Sequence, residues 1–266
     1  MKSRRKHTQT YVISGSKFTR GVTLIELLIA TAIGIILSVL AINYFSLNVK
    51  TRDANSAYAT LKDNGAVSLY FMTFFGRSAG IQTIPIYGDV SILNGECSKV
   101  MDYCTFDSKI GSDRLAIRKF FPVHTQACNG QIAYEKEDFI DIFSIETNDN
   151  YSALVCQSYS LTDQEWLRGS SRKRVLQIGV EDFQVQFYQP DTTQPVNAEL
   201  VTDWGRVQGV EVAFLANSEV PAFTQKSNKR FKLLDADIKS FNDRKARQIF
   251  QTTIAFNNQF LEEITP

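Results

Sequence analysis

Arg20-Gly21-Val22-Thr23-Leu24-Ile25-Glu26 leads straight into an apolar run that continues to Ile42, with one acid placed just inside its start. A lone carboxylate is costly to hold in hydrocarbon, so Glu26 calls for a reason. The 21 residues that end at Gly21 carry Lys2, Arg4, Arg5, Lys6, Lys17 and Arg20 and no acid. That charge bias holds this end in the cytoplasm and sends everything after Ile42 across the membrane. A secretory signal peptide is cut after its apolar stretch, at small residues. Here the residue suited to cleavage, Gly21, precedes the stretch, so cutting there leaves the membrane helix on the mature chain.

From residue 22 to about residue 79 there is no proline, and glycine occurs only at Gly34, Gly65 and Gly76. The pattern predicts one long helix, membrane-spanning over 22–42 and amphipathic over 43–79. In the second part Leu47, Thr51, Ala54, Tyr58, Leu61, Gly65, Ser68 and Met72 recur at steps of three and four, with Leu69 and Phe75 alongside. Lys50, Arg52, Asp53, Lys62 and Asp63 lie off that stripe. Such a stripe needs a partner surface.

Beyond Gly80 the period changes to two. Leu115 and Ile117, then Phe183, Val185 and Phe187, then Val210, Val212 and Phe214, and finally Phe250, Ile254 and Phe256 place apolar side chains on one face of half-buried strands. Residues 139–145, 153–159 and 174–178 are further strand candidates. Asn94-Gly95, Asn129-Gly130 and Gln189-Pro190-Asp191 mark turns between them. An antiparallel sheet laid on the outer half of the helix would satisfy both amphipathic surfaces. The expected class is α+β, with a β-rich head over 80–266 and no linker dividing it.

The segment around Gly21 resembles the class III signal of type IV pilins and pseudopilins. In that family a dedicated membrane peptidase cuts after Gly at −1, methylates the new N-terminus and requires Glu at +5. With Val22 as +1, Glu26 falls at +5, although Val22 stands where the family usually has Phe or Met. Residues 1–21 are then a cleaved leader. The resemblance gives Glu26 the role of pairing with the N-terminal ammonium of a neighbouring subunit, which neutralises two charges that lipid disfavours. Leu61-Lys62-Asp63-Asn64-Gly65-Ala66 and Gly76-Arg77-Ser78-Ala79-Gly80-Ile81 are similar to the helix end of PilW-type minor pilins. So, in order and spacing, are residues 112–120, Ala127-Cys128-Asn129-Gly130, Leu154-Val155-Cys156, residues 179–187 and residues 204–210. Two departures stand out: Asn43 sits at +22, where major pilins often have Pro, and residues 224–248 follow no family pattern, which suggests a variable surface loop.

The resemblance implies a pilin-like fold and a low-abundance subunit of the complex at the pilus tip. That complex primes assembly and supports twitching motility or adhesion. The partners implied are other minor pilins, the major pilin, prepilin peptidase, a tip adhesin and the inner membrane. The head would lie in the periplasm before assembly and at the cell surface afterwards. A J-type minor pseudopilin of a type II secretion system shares the same signal and general fold and is the alternative.

Cys97, Cys104, Cys128 and Cys156 all follow the membrane segment, where an oxidising compartment makes disulfides the default. Four cysteines permit three connectivities. Cys97 with Cys104 closes a small loop, and Cys128 at the Asn-Gly turn is expected to meet Cys156 in the next strand region. A zinc site would need closer ligand pairs than these.

No catalytic role is expected. Only His124 follows Gly21, so no pair of His ligands exists, and no Gly-rich phosphate loop follows a strand. Glu135, Glu137 and Asp138 read as a solvated charge run. No cofactor is implied. Removing the six leader cations from 29 leaves 23 against 28 acids, a net charge near −5, so nothing global invites nucleic acid. Lys226, Lys229, Arg230, Lys232, Lys239, Arg244, Lys245 and Arg247 are the one basic segment, diluted by Asp235, Asp237 and Asp243 and read as a solvated loop or helix. A membrane-tethered periplasmic enzyme and a DNA-binding pilus component are the remaining alternatives, and neither is expected.

Overall fold

A computed structural model describes residues 21–88, 104–108, 110–149, 151–190 and 192–257. In chain order the elements are α1 (Leu24–Gly76), β1 (Leu115–Phe120), β2 (Thr125–Gln126), β3 (Ile132–Ala133), β4 (Asp138–Thr147), β5 (Ser152–Ser160) and β6 (Glu165–Trp166). They continue with β7 (Arg174–Ile178), β8 (Val180–Tyr188), β9 (Gly209–Pro221), β10 (Ser227–Phe231), β11 (Lys239–Asp243) and β12 (Lys245–Ala255). The architecture is α+β, one long helix followed by antiparallel sheets. The chain divides into two compact units, residues up to Lys50 and residues from Thr51.

The first unit contains the N-terminal part of α1. It is long and apolar enough to cross a membrane, and none of its apolar window is buried. Leu24, Ile25, Leu28, Ile36, Leu40 and Ile42 are all more than half exposed, which is the dress of a helix whose solvent is lipid or other helices.

In the second unit the outer part of α1 buries Ala57, Leu61, Asn64, Gly65, Ser68, Met72 and Gly76. The expected stripe is therefore corrected at its near end. Leu47 and Tyr58 are exposed, and Ala57 and Asn64 take the inward positions. The helix also stops three residues short of 79. Ala79 N–H donates to Gly76 O at 3.0 Å and Gly80 turns the chain with φ +74°.

The expected single sheet is two larger sheets and two small ribbons. One sheet runs β1-β4-β5-β6, with β7 also paired to β5, and the other runs β12-β9-β8. A common core joins them under the helix, with Met72 from α1, Phe143 from β4, Leu154 from β5, Phe183 and Phe187 from β8, and Val210 and Phe214 from β9. Phe183 and Phe214 stack with centroids 4.9 Å apart.

The segment expected as a variable surface loop, 224–248, is instead the β10–β11 hairpin and the start of β12. Phe231, Leu233, Leu234 and Phe241 pack on Ala213, Leu215 and Ile249. This corrects a second expectation. β9 is not half buried, because the hairpin covers the face that period-two patterning leaves to solvent.

Candidate functional site

The N-terminal segment assigned to processing and assembly is built by a local hydrogen-bond box. Thr23 stands immediately before α1 and Glu26 three residues later, the spacing at which the two side chains satisfy the orphan N–H groups of a helix start. Thr23 N–H donates to Glu26 Oε2 at 2.9 Å, Thr23 Oγ1 donates to the same oxygen at 3.1 Å, and Glu26 N–H donates to Thr23 Oγ1 at 3.3 Å. Both bonds accepted by the carboxylate go to Oε2 and none to Oε1, so the acid has an oxygen to offer a second partner. A Cβ added at Gly21 would meet nothing within 4 Å, so the chain itself does not require glycine there. Any such requirement would come from whatever binds this segment. Sequence reasoning singled out Glu26 and passed over its hydrogen-bond partner Thr23, although the T-x-x-E spacing was the available signal.

The Asn64-Gly65 step seats the outer helix on the sheets. A Cβ at Gly65 would lie 2.2 Å from the Phe250 ring of β12, so only glycine lets that ring lie against the helix. Asn64, 3% exposed, donates from Nδ2 to Asn217 O at 3.1 Å and to Glu219 Oε1 at 2.9 Å. Its Oδ1 accepts from Gln177 Nε2 at 2.7 Å. A buried amide with both ends satisfied fixes the helix in one register over β7 and β9.

Cys128 and Cys156 form a buried disulfide, with Cα atoms 6.0 Å apart. Closing a loop of 28 residues stabilises the fold by roughly 3 to 4 kcal/mol through the unfolded chain. Cys104 is buried, and its expected partner Cys97 lies outside the described residues, as does the Asn94-Gly95 turn. The two sulfurs and the Asp141 carboxylate lie within 4.8 Å of one another, but sulfurs bonded to each other are not thiolate ligands for a metal.

Asp141 belongs to a polar knot beside that disulfide which sequence reasoning missed. Lys119 Nζ donates to Asp141 Oδ2 at 2.8 Å, with the two side chains 3% and 0% exposed. Asp141 Oδ1 accepts from Cys128 N at 3.0 Å and from Ser158 Oγ at 2.7 Å. The ammonium also lies 4.9 Å from the centroid of Phe75 on α1. The expected solvated run of Glu135, Glu137 and Asp138 is corrected for its last two members, while Glu135 is exposed. Glu137 is buried and paired with Arg168, and Asp138 is held bidentately by Arg118. His124 is exposed, its ring edge-on to Tyr134 at 5.6 Å.

Asp113 pins the loop before β1 to the edge of β8. Its oxygens accept from Ser108 N and Val185 N, each at 2.8 Å. Burial pushes its carboxyl up to about 8, against the pull of those two N–H donors, and the negative charges of Asp107 and Asp235 add to the rise. The folded chain thus keeps a proton that the unfolded chain releases near pH 4. The sign follows: this group favours folding most at low pH, and its contribution falls as pH rises from about 4 to about 8. Thermal melts should show stability declining over that window in wild type and a flatter profile in Asp113→Asn. Parallel profiles would show that Asp113 does not titrate with folding.

A groove of about 650 Å³ opens beside the end of α1, lined by Tyr70, Phe74, Phe75, Phe121, Arg77 and Lys119 among others. Among the described residues its lining is aromatic, hydroxylic and cationic.

A family model described as type IV pilus-assembly protein W (PilW) matches residues 142–258, from β4 to the end of β12. The match supports a type IV pilus-related protein and involvement in pilus assembly. No curated protein and no solved structure matches the chain.

Proposed function

We propose that this chain is a minor pilin of a type IV pilus, processed after Gly21 and built into the tip complex that primes assembly. The observation that carries the reading is a membrane-length apolar helix, opened by the Thr23–Glu26 box, on the same chain as sheets matched by the PilW family model. An exposed apolar helix suits storage in the inner membrane first and packing among the helices of a fibre afterwards. The head, seated by Asn64 and closed by its disulfide, is a rigid body suited to contacts with other minor pilins, the major pilin and a tip adhesin.

Processing provides the test. Mass spectrometry of the membrane protein should find a chain beginning at N-methylated Val22, and Gly21→Arg should accumulate as a precursor heavier by the whole leader. An intact Met1 terminus in cells that hold the peptidase overturns the reading. Deletion that blocks release of a secreted enzyme while leaving pili and twitching intact would move the chain to a pseudopilus.

A further inference from the structure

Lys119 and Asp141 meet diagonally across two paired strands. Lys119 on β1 stands opposite Phe139 on β4, and Asp141 lies two residues further along β4, on the same face. Lys119 Nζ is 2.8 Å from Asp141 Oδ2, with the side chains 3% and 0% exposed. The Phe75 ring and the buried Cys128 and Cys156 stand beside them. A primary amine and a carboxyl group at hydrogen-bond distance are the two halves of an amide. Bulk water, which favours the separate ions, is kept from both. Passing one proton along the hydrogen bond from Nζ to Oδ2 gives the neutral amine and acid, and low polarity reduces the cost of that transfer.

The two oxygens of Asp141 are held differently. Oδ2 faces Nζ, while Oδ1 accepts from Cys128 N–H at 3.0 Å and from Ser158 Oγ at 2.7 Å. Two donors converging on one carboxyl oxygen form the arrangement that stabilises an oxyanion when a nucleophile adds to the carbon. The contacts that fix the acid therefore also polarise it toward the amine. Lys119 lines the groove beside the end of α1 as well, which gives a released water molecule a way out.

We propose that Lys119 and Asp141 join covalently, through an amide between Nζ and Cγ. After the proton transfer, the Nζ lone pair adds to Cγ and the C=O electron pair moves onto Oδ1, where Cys128 N–H and the Ser158 hydroxyl stabilise the charge. A second proton then passes from Nζ to Oδ2. The Cγ–Oδ2 bond breaks as the carbonyl re-forms, and Oδ2 leaves as water with two of the three ammonium hydrogens. Nothing is oxidised or reduced, and no co-reactant is consumed. The amide ties β1 to β4 beside the disulfide that ties Cys128 to β5. It depends on the head alone and is independent of any role in a pilus.

The test is the intact mass of the full chain, extracted from membranes in detergent and reduced with a thiol. Wild type should weigh one water less than its composition requires, and fragmentation should place the loss between Lys119 and Asp141. Lys119→Arg keeps a cation beside Asp141, but its guanidinium stays charged and has no free lone pair to add, so this variant should show its full mass. On a reducing, denaturing gel the linked wild type should run ahead of it. Ser158→Ala removes one donor to Oδ1 and should slow formation by roughly 10² to 10³-fold in a pulse-chase. Full mass in wild type overturns the proposal and leaves an ordinary ion pair. Loss of water that persists in Lys119→Arg overturns it equally. Formation as fast in Ser158→Ala as in wild type overturns the path through an oxyanion on Oδ1.

Discussion

Glu26→Ala should be processed and held in the membrane at normal levels, yet support no surface pili in a strain lacking the chromosomal copy. Within the single chain the substitution removes only the acceptor for Thr23 N and Oγ1, a helix-cap loss that a long apolar helix tolerates. Insertion should become easier, because an ionised group no longer enters lipid. The loss comes at assembly. The neighbour's N-terminal ammonium would be left unpaired among apolar helices, where nothing else neutralises it. Two further variants separate these roles. Glu26→Asp keeps the charge one methylene short and should be intermediate. Thr23→Val keeps the carboxylate, deletes the hydroxyl and should still assemble. Normal piliation by a stable, processed Glu26→Ala protein would mean that the subunit joins the fibre through its β domain alone.

Lys119→Met should be the most damaging single change in the head, at about 3 to 5 kcal/mol, because it leaves the Asp141 carboxylate buried without its counter-charge. Domains of this size hold only about 5 to 15 kcal/mol in total. The melting temperature should therefore drop by roughly 10 °C or more. Removing the acid as well should not restore stability, in contrast to an isolated ion pair. Asp141 Oδ1 also accepts from Cys128 N and Ser158 Oγ, and Lys119→Met with Asp141→Leu would leave both donors buried and unmet. A Lys119→Met protein that melts within a degree or two of wild type would show that the knot does not hold β1, β4 and the disulfide turn together.

Which features could be read before the structure follows from the range of the physics behind them. The apolar run, its cationic leader and Glu26 are local, since each residue's suitability for lipid depends little on distant chain. β8 and β7 fall where alternation and turn residues place them, over Val180–Tyr188 and Arg174–Ile178, because a strand's period is also local. The Thr23–Glu26 box was legible in principle, as its whole geometry spans four residues.

What lay beyond sequence depends on contacts between distant segments. Nothing near Lys119 announces that its ammonium will be buried against Asp141, 22 residues on, or that Asn64 will reach Asn217 and Glu219 across more than 150 residues. The hairpin at 224–248 shows the difference most clearly. As a string it is polar and interrupted, and its large apolar members Phe231, Leu233, Leu234, Ile238 and Phe241 follow no period that signals a core. Apart from that of Ile238, their burial exists only because β9 offers Ala213 and Leu215 on its second face. By itself, then, the amino-acid order determined that this is a membrane-length helix followed by antiparallel β-structure. The tertiary structure decided which charges are cancelled in the interior and which stand free on the surface, because cancellation requires two groups within a few ångströms and chain order does not set that distance.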